Sequence, residues 1–335
     1  MKKAKFWEKT DSGQIKCTLC PRYCLLKSGQ AGYCFVRMNK DNILYSLAWA
    51  HPVAIHADPI EKKPLYHFLP GTKTFSLGTA GCNLGCKFCQ NWQLSHNKQI
   101  QESAQYLSPE EIVQLAIKYQ CNSISYTYNE PTIFAEYVMD TAQLAKESGL
   151  KNIMVTNGYI TAEALPEVYK HIDAANVDLK GFSEEFYKKY TASSLQPVLE
   201  TIRSLKKMGK WVEITNLVIP TLNDSDSMLK ELVTWIAHHI ETDVPVHFSA
   251  FHPDYQIQDI PPTPIKTLIR AKNLAEKAGL TYIYIGNIAD RQYSTTYCSK
   301  CHSELIERNW YNTSVTGMEH DKCKQCGATI PGVFS

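Results

Sequence analysis

The chain has 335 residues, 44% apolar and 20% charged, and its 35 basic side chains nearly balance 33 acidic ones for a formal charge of +2. That balance leaves no electrostatic footprint for nucleic acid or an anionic membrane surface, and no run approaches the roughly 18 consecutive apolar residues of a spanning helix. The first residues, Met1-Lys2-Lys3-Ala4-Lys5-Phe6-Trp7-Glu8, are basic but lack the apolar stretch of a secretory signal, so a cytoplasmic protein is expected, with its twelve cysteines serving as ligands or free thiols rather than disulfides.

Residues 1–70 form a cysteine-rich element. Cys17, Cys20, Cys24 and Cys34 lie close in sequence, with Gly29 and Gly32 marking the turn before the last of them. Four such thiols argue for a metal site, and zinc and an auxiliary iron–sulfur cluster both accept four thiolates. The alternative is a reduced cysteine-rich loop.

Residues 71–290 alternate short apolar or β-branched runs with helical stretches, the pattern of repeated βα units. Strands are predicted at Phe75–Gly78, Asn122–Tyr126, Asn152–Thr156, Ala175–Asp178, Val212–Ile219, Val246–Ala250 and Thr281–Ile285. Helices are predicted from Ser108, where Ser-Pro-Glu-Glu reads as a capping-box start, and over Phe134–Ser148, Ala162–His171, Pro197–Met208, Ser227–Ile240 and Pro264–Ala278. The fold class is therefore α/β, and parallel strands joined by helical crossovers curl toward a barrel, incomplete with six or seven strands.

The first predicted strand runs into Gly78-Thr79-Ala80-Gly81-Cys82-Asn83-Leu84-Gly85-Cys86-Lys87-Phe88-Cys89-Gln90-Asn91-Trp92. Three cysteines on one short loop, with Gly81 and Gly85 permitting sharp turns, can grip three irons of a four-iron cubane. The fourth iron then has an open position for a small molecule, most simply the amino and carboxylate groups of S-adenosylmethionine (SAM). Three unrelated thiols or a zinc site are the alternatives; structural zinc needs a fourth ligand, and the nearest histidine, His96, lies beyond Trp92.

Other strand ends are polar. Tyr126 to Pro131 ends the second strand, Thr156-Asn157-Gly158 the third, and Asp178-Leu179-Lys180 the fourth, where Asp178 and Lys180 alternate to one face and point to the barrel mouth unless they form only a solvated ion pair. Tyr126 and Tyr128 either line a pocket or pack, and Cys121 reads as a small buried hydrophobe. Residues 291–335 carry Cys298-x2-Cys301 and Cys323-x2-Cys326, two knuckles separated by twenty-one residues. This is a zinc-ribbon or rubredoxin-like pattern, with zinc expected and an iron centre as the alternative.

Cys82-x3-Cys86-x2-Cys89 with Phe88 before the last cysteine resembles the radical SAM signature, and Cys89-Gln90-Asn91 resembles its branch related to glycyl-radical activases. Asp58-Pro59-Ile60-Glu61-Lys62-Lys63-Pro64-Leu65, Tyr126-Thr127-Tyr128-Asn129-Glu130-Pro131-Thr132-Ile133-Phe134, Thr156-Asn157-Gly158-Tyr159 and Asn176-Val177-Asp178-Leu179-Lys180 extend the likeness over residues 15–310, to the AmmeMemoRadiSam system radical SAM enzyme family.

The resemblance implies a (β/α)6-type partial barrel, a [4Fe–4S] cluster on Cys82, Cys86 and Cys89, and SAM contacts from Phe88, Asn129, Glu130, Asn157, Asp178, Lys180, Thr215 and His252. Of these, Asn129 and Glu130 would receive the SAM amino group and His252 would approach its carboxylate. Glu130 also reads as a helix cap, and His252 as a surface-loop histidine. Val155 and Thr215 stand where activases carry an acidic group and an arginine.

The implied activity is reductive cleavage of SAM to a 5′-deoxyadenosyl radical that abstracts hydrogen from a substrate, which can be a protein, that the sequence does not name; the alternative is an activase installing a glycyl radical on a partner protein. A protein electron donor such as flavodoxin or ferredoxin would supply the electron. A reading from another class is a metal-dependent redox-sensing or protein-binding module.

Overall fold

The alternation beginning at Lys73 builds one eight-stranded sheet in the computed structural model of the chain, which describes residues 1–288 and 290–335. Its strands are β1 (Ala54–Pro59), β2 (Lys73–Gly78), β3 (Ser123–Tyr126), β4 (Lys151–Thr156), β5 (Ala174–Asp178), β6 (Trp211–Val218), β7 (Val246–Ala250) and β8 (Ile283–Gly286), paired in chain order. Strands β2 to β8 are parallel, and β1 runs antiparallel to β2 at the edge. A twisted parallel sheet whose spatial order equals its chain order curls the same way at every step. The result is the incomplete barrel expected, with β1 and β8 as its two edges.

Strand β1 corrects one expectation, because it belongs to the large sheet although it falls within the segment 1–70 assigned to the cysteine-rich element. Its sequence, Ala-Ile-His-Ala-Asp-Pro, carries no apolar run, since His56 and Asp58 share the face of Ser76 and Thr74 across the pair. A strand that offers polar side chains to a polar interior gives no hydrophobic signal.

Helices cover the outside: α1 (Pro109–Lys118), α2 (Ala135–Glu147), α3 (Gln196–Lys207), α4 (Asp226–His239) and α5 (Ile265–Lys277). The capping box at α1 forms as expected, with Glu111 N–H donating to Ser108 Oγ and Ser108 N–H donating to the Glu111 carboxylate at 2.7 Å. The helix expected over Ala162–His171 shrinks to the single turn Leu165–Val168, with Pro166 confined to its first turn as its missing N–H requires. Outward residues such as Phe75, Leu77, Ile124, Ile214 and Phe248 are buried in the main core, each contributing about 1.5–3 kcal/mol through burial.

The inner face is different. Parity along the registered strands places Thr74 and Ser76, Ser123 and Ser125, Asn176 and Asp178, Glu213 and Thr215, and His247 and Ser249 on one side of the sheet. Ile153 and Val155 of β4, with Ala174 at the start of β5 and Leu217 near the end of β6, interrupt this polar row. Barrels whose interior is merely packed fill it with branched aliphatic side chains, so this one is built to hold polar contents.

Its lower half is filled by the segment 60–69. Pro64 O accepts from Asn176 Nδ2 at 2.7 Å, and the Glu213 carboxylate accepts from the backbone N–H groups of Tyr66 and His67 at 3.0 and 2.8 Å. Leu65, Phe68 and Leu69 pack on Ile153 and Ala174.

The N-terminal element is two small antiparallel sheets set on the barrel mouth. The buried pair Arg37–Glu136, at 2.8 Å, anchors it to α2, and Thr161 N–H reaches Leu19 O at 3.1 Å. The C-terminal element is a three-stranded sheet plus a two-stranded hairpin. It braces the crossing segment: Arg308 Nη2 donates to Tyr66 O at 2.6 Å with its guanidinium 4.1 Å from the Tyr66 ring, and Leu69 N–H donates to Val333 O at 2.7 Å.

Candidate active site

Strand β2 delivers the three-cysteine loop to the carboxyl ends of the parallel strands, where such folds collect their chemistry. The loop is clamped from several sides. Gly81 N–H donates to Leu94 O at 2.9 Å, Gly85 N–H to Thr191 O at 2.8 Å and Lys87 N–H to Tyr190 O at 2.9 Å. Gly81 has φ +95°, and a Cβ there would strike the Cys34 carbonyl, so only glycine fits.

Asn129 and Glu130, expected beside the SAM amino group, are largely occupied in framing this loop. Asn129 Oδ1 accepts from Thr79 N–H at 3.1 Å, while its Nδ2 donates to Gly81 O at 2.8 Å. Glu130 is buried, and its carboxylate accepts from Thr132 N–H (2.9 Å), Thr156 Oγ1 (2.8 Å) and Asn157 N–H (2.7 Å). It therefore caps the 3-10 turn Pro131–Phe134 and ties the end of β3 to the end of β4. Burial raises the Glu130 carboxyl above its ordinary range, against the pull of these donors.

Asn157 touches the ligand set itself. Its Nδ2 lies 3.8 Å from Cys82 Sγ and 2.9 Å from Asn83 Oδ1, and Leu84 N–H donates to the same sulfur at 3.4 Å. Burial pushes all three thiols up, Cys86 to about 12. Ionised sulfurs in so dry a place need positive charge beside them, which iron supplies, and thiolate ligation releases the protons. The donor set thus fits an iron–sulfur cluster.

Phe88 is buried against Phe186, ring centroids 6.0 Å apart, so its side chain serves packing. Asp178 and Lys180 form an ion pair of 3.0 Å at the mouth, partly open to solvent, and the Lys180 charge reaches Cys86. His252 Nδ1 lies 3.1 Å from Gln90 Nε2 on the cysteine loop. Thr215 stands beside Asp178 in the register of β5 and β6, with its buried hydroxyl unpartnered among the described residues. The structure thus gathers the trio, Asn129, Glu130, Asn157, Asp178, Lys180 and His252 around one mouth, with Thr215 next to Asp178 across the sheet.

Beneath the mouth is a group the sequence reading passed over as a site. The Asp58 carboxylate accepts from Lys63 Nζ at 2.7 Å, Lys62 Nζ at 3.0 Å and Tyr128 OH at 2.7 Å. Lys63 is buried, and burial draws its ammonium down to about 8 despite Asp58. Tyr128 takes a left-handed backbone, φ 71°, a strain of about 1–3 kcal/mol held by Asn91 Nδ2 on its carbonyl at 2.8 Å. The run Asp58-Pro59-Ile60-Glu61-Lys62-Lys63-Pro64-Leu65 carries the family likeness, but nothing in its spacing marks Lys63 as buried.

The four C-terminal sulfurs stand apart from this mouth. Their ligand atoms all lie within 4.8 Å of one another, with Cys298–Cys326 at 3.6 Å and Cys301–Cys323 at 3.7 Å. Zinc–sulfur bonds of about 2.3 Å place tetrahedral sulfurs about 3.8 Å apart, so this group is shaped to bind one metal ion.

Residues 76–236, which include the whole cysteine loop, match the model of the radical SAM superfamily. The chain is also 44% identical over 332 residues to an uncharacterized protein of Methanocaldococcus jannaschii, covering 98% of this chain and 99% of that one. It belongs to the radical SAM superfamily. A further relative of this radical SAM enzyme is the pyruvate formate-lyase-activating enzyme of Clostridium pasteurianum, 23% identical over 57% of this chain and 84% of that protein. The fold is similar to that of a radical SAM methyltransferase from Sphaerobacter thermophilus, with TM-score 0.51 and 15% identity over 65% of this chain and 67% of that one. Membership implies a [4Fe–4S] cluster and SAM as cofactors. Among the described residues no helix is long and apolar enough to cross a membrane.

Proposed function

We propose that this enzyme cleaves SAM reductively and uses the resulting radical to take hydrogen from a small polar substrate held inside the barrel. The observation that carries the reading is the set of buried, unpartnered polar atoms on the inner face. Ser76 Oγ, Ser123 Oγ, Asn176 Oδ1 and Thr215 Oγ1 have no hydrogen-bond partner among the described residues. An orphaned buried polar group costs about 1–3 kcal/mol, a cost that a bound polar molecule or ordered water removes.

When bound, the cluster and SAM supply one-electron homolysis of a carbon–sulfur bond, giving methionine and the 5′-deoxyadenosyl radical. The chain's own residues do the rest. Cys82, Cys86 and Cys89 hold three irons, and Asn157 orients the Cys82 sulfur. Asp178, Lys180 and His252, whose polar ends reach the mouth, contact SAM, while Asn129 and Glu130 hold the loop in register. Lys63, Asp58 and Tyr128 present charge and hydrogen-bond donors to the substrate below, and the segment 60–69 closes the floor against water.

An electron donor such as flavodoxin or ferredoxin completes the reaction, and reduced free thiols suit the cytoplasm as its compartment. Anaerobic reconstitution with iron and sulfide, reduction and addition of SAM tests the reading by 5′-deoxyadenosine release. A loaded, reduced protein that releases none overturns it. The likeness to a pyruvate formate-lyase-activating enzyme favours a second reading, installation of a glycyl radical on a partner protein. A carbon-centred radical appearing on such a partner only with this enzyme and SAM would decide for it.

A further inference from the structure

Cys17 ends a short strand, Cys20 and Cys24 lie on the turn that follows it and Cys34 on a neighbouring loop, yet all four line one small cavity, together with Arg22 and Asn83. All are free thiols, Cys17 and Cys34 buried and Cys20 and Cys24 half-buried. The frame around them is fixed: Cys17 N–H donates to Cys24 O at 3.0 Å, Tyr23 N–H to Cys20 O at 3.1 Å, and Gly32 N–H to Arg37 O at 2.8 Å. No carboxylate or histidine lines the cavity.

The spacing of the sulfurs distinguishes what they can hold. Among the described residues, the C-terminal four are the set of three or more cysteines, histidines or carboxylates whose ligand atoms all fall within 4.8 Å of one another. No three of the N-terminal sulfurs meet that limit, and neither do Cys82, Cys86 and Cys89. One zinc ion demands sulfurs about 3.8 Å apart. A cubane places each thiolate on a different iron, so its sulfurs stand further apart than those around a single ion. Like the radical SAM trio, the N-terminal four are therefore spaced more widely than the ribbon.

We propose that Cys17, Cys20, Cys24 and Cys34 hold a second [4Fe–4S] cluster, with protein on all four irons. Such a cluster has no corner for a small molecule, and its chemistry is one-electron transfer. Its position suits that task. The Cys34 carbonyl abuts Gly81, Arg22 Nε donates to Asn83 O beside Cys82, and Cys20 and Cys24 are half-buried, on the more exposed side of the set. One electron enters from a reduced protein carrier at the surface and one leaves toward the mouth. That relay role rests on the function proposed above; the cluster does not.

Metal content separates the two. Cys82, Cys86 and Cys89 are replaced by alanine in the full-length protein, which is reconstituted anaerobically. The triple variant is expected to keep about four irons and four sulfides per chain, half of the wild-type content, with a reduced electron paramagnetic resonance signal that SAM leaves unchanged. Adding Cys20→Ser and Cys24→Ser is expected to remove this iron while the C-terminal ion remains, showing that the chain is still folded. A triple variant with a second zinc equivalent and no iron, or iron indifferent to the two serine substitutions, overturns the proposal. Wild-type protein that carries the iron of both clusters yet releases no 5′-deoxyadenosine on reduction with SAM would count against the function proposed above and not against the cluster.

Discussion

The cysteine loop at the barrel mouth and the C-terminal ribbon both present thiols, but they are organised in opposite ways. The ribbon brings its sulfurs to 3.6–3.7 Å with two local knuckles and a hairpin of its own. The mouth loop depends on distant partners: Asn129 and Asn157 from the next two strands, Thr191 and Tyr190 from the turn after β5, and Cys34 from the N-terminal element. A structural metal site can be nearly self-sufficient, whereas a site that must leave a position open takes its rigidity from the whole barrel.

The largest expected effect tests that independence. Alanine at Cys82, Cys86 and Cys89 should reduce 5′-deoxyadenosine formation to background while the ribbon keeps about one metal equivalent, read by elemental analysis. The converse change, Cys301→Ser with Cys323→Ser, should abolish ribbon metal, a contribution of about 10–16 kcal/mol in small zinc domains. Fast hydrogen exchange should then be confined to residues 296–330 and the segment 60–69 they brace. Exchange spreading to the mouth loop would break the contrast.

Glu136→Gln leaves Arg37 buried without its partner and should cost about 3–5 kcal/mol in denaturant unfolding. Replacing both by apolar residues should recover most of that loss. The docking of the N-terminal element on α2 would be shown weaker than the structure indicates if the single variant were neutral.

The floor gives a pH signature. His67 is buried, with Nδ1 2.7 Å from Pro331 O and Nε2 2.6 Å from Tyr284 OH, so the neutral ring donates to the carbonyl and accepts from the phenol. Burial draws it from 6.5 to about 4. The unfolded chain then takes up the proton first, so stability present above pH 6.5 is lost as pH falls through about 4, about 3 kcal/mol in all. His67→Gln should flatten unfolding free energy over that window. The smallest effect expected is at Asn157→Ala, which removes the amide from Cys82 and should weaken iron retention about tenfold, measured by chelator competition.

The barrel's order was legible because the outward faces of β2 to β8 must be apolar to meet their helices, and the trio was legible because a metal loop is a local object. Strand β1 escaped notice since its His56 and Asp58 face a polar interior. Lys63 escaped because a buried lysine has no local mark; its burial comes from Asp58 five residues back and Tyr128 from another strand. Glu130 was read as a cap or a SAM contact; that it caps Thr132 N–H and also bridges to β4 required the structure.

By itself the sequence determined the periodicity, the three closely spaced cysteines of the mouth loop and the two terminal sets of four cysteines, because each is written in spacings of a few residues. Only the tertiary structure decided how far apart the sulfurs of each set stand, and which polar side chains turn inward without a partner. Those quantities depend on segments tens to hundreds of residues apart, and short-range spacing carries no information about such distances.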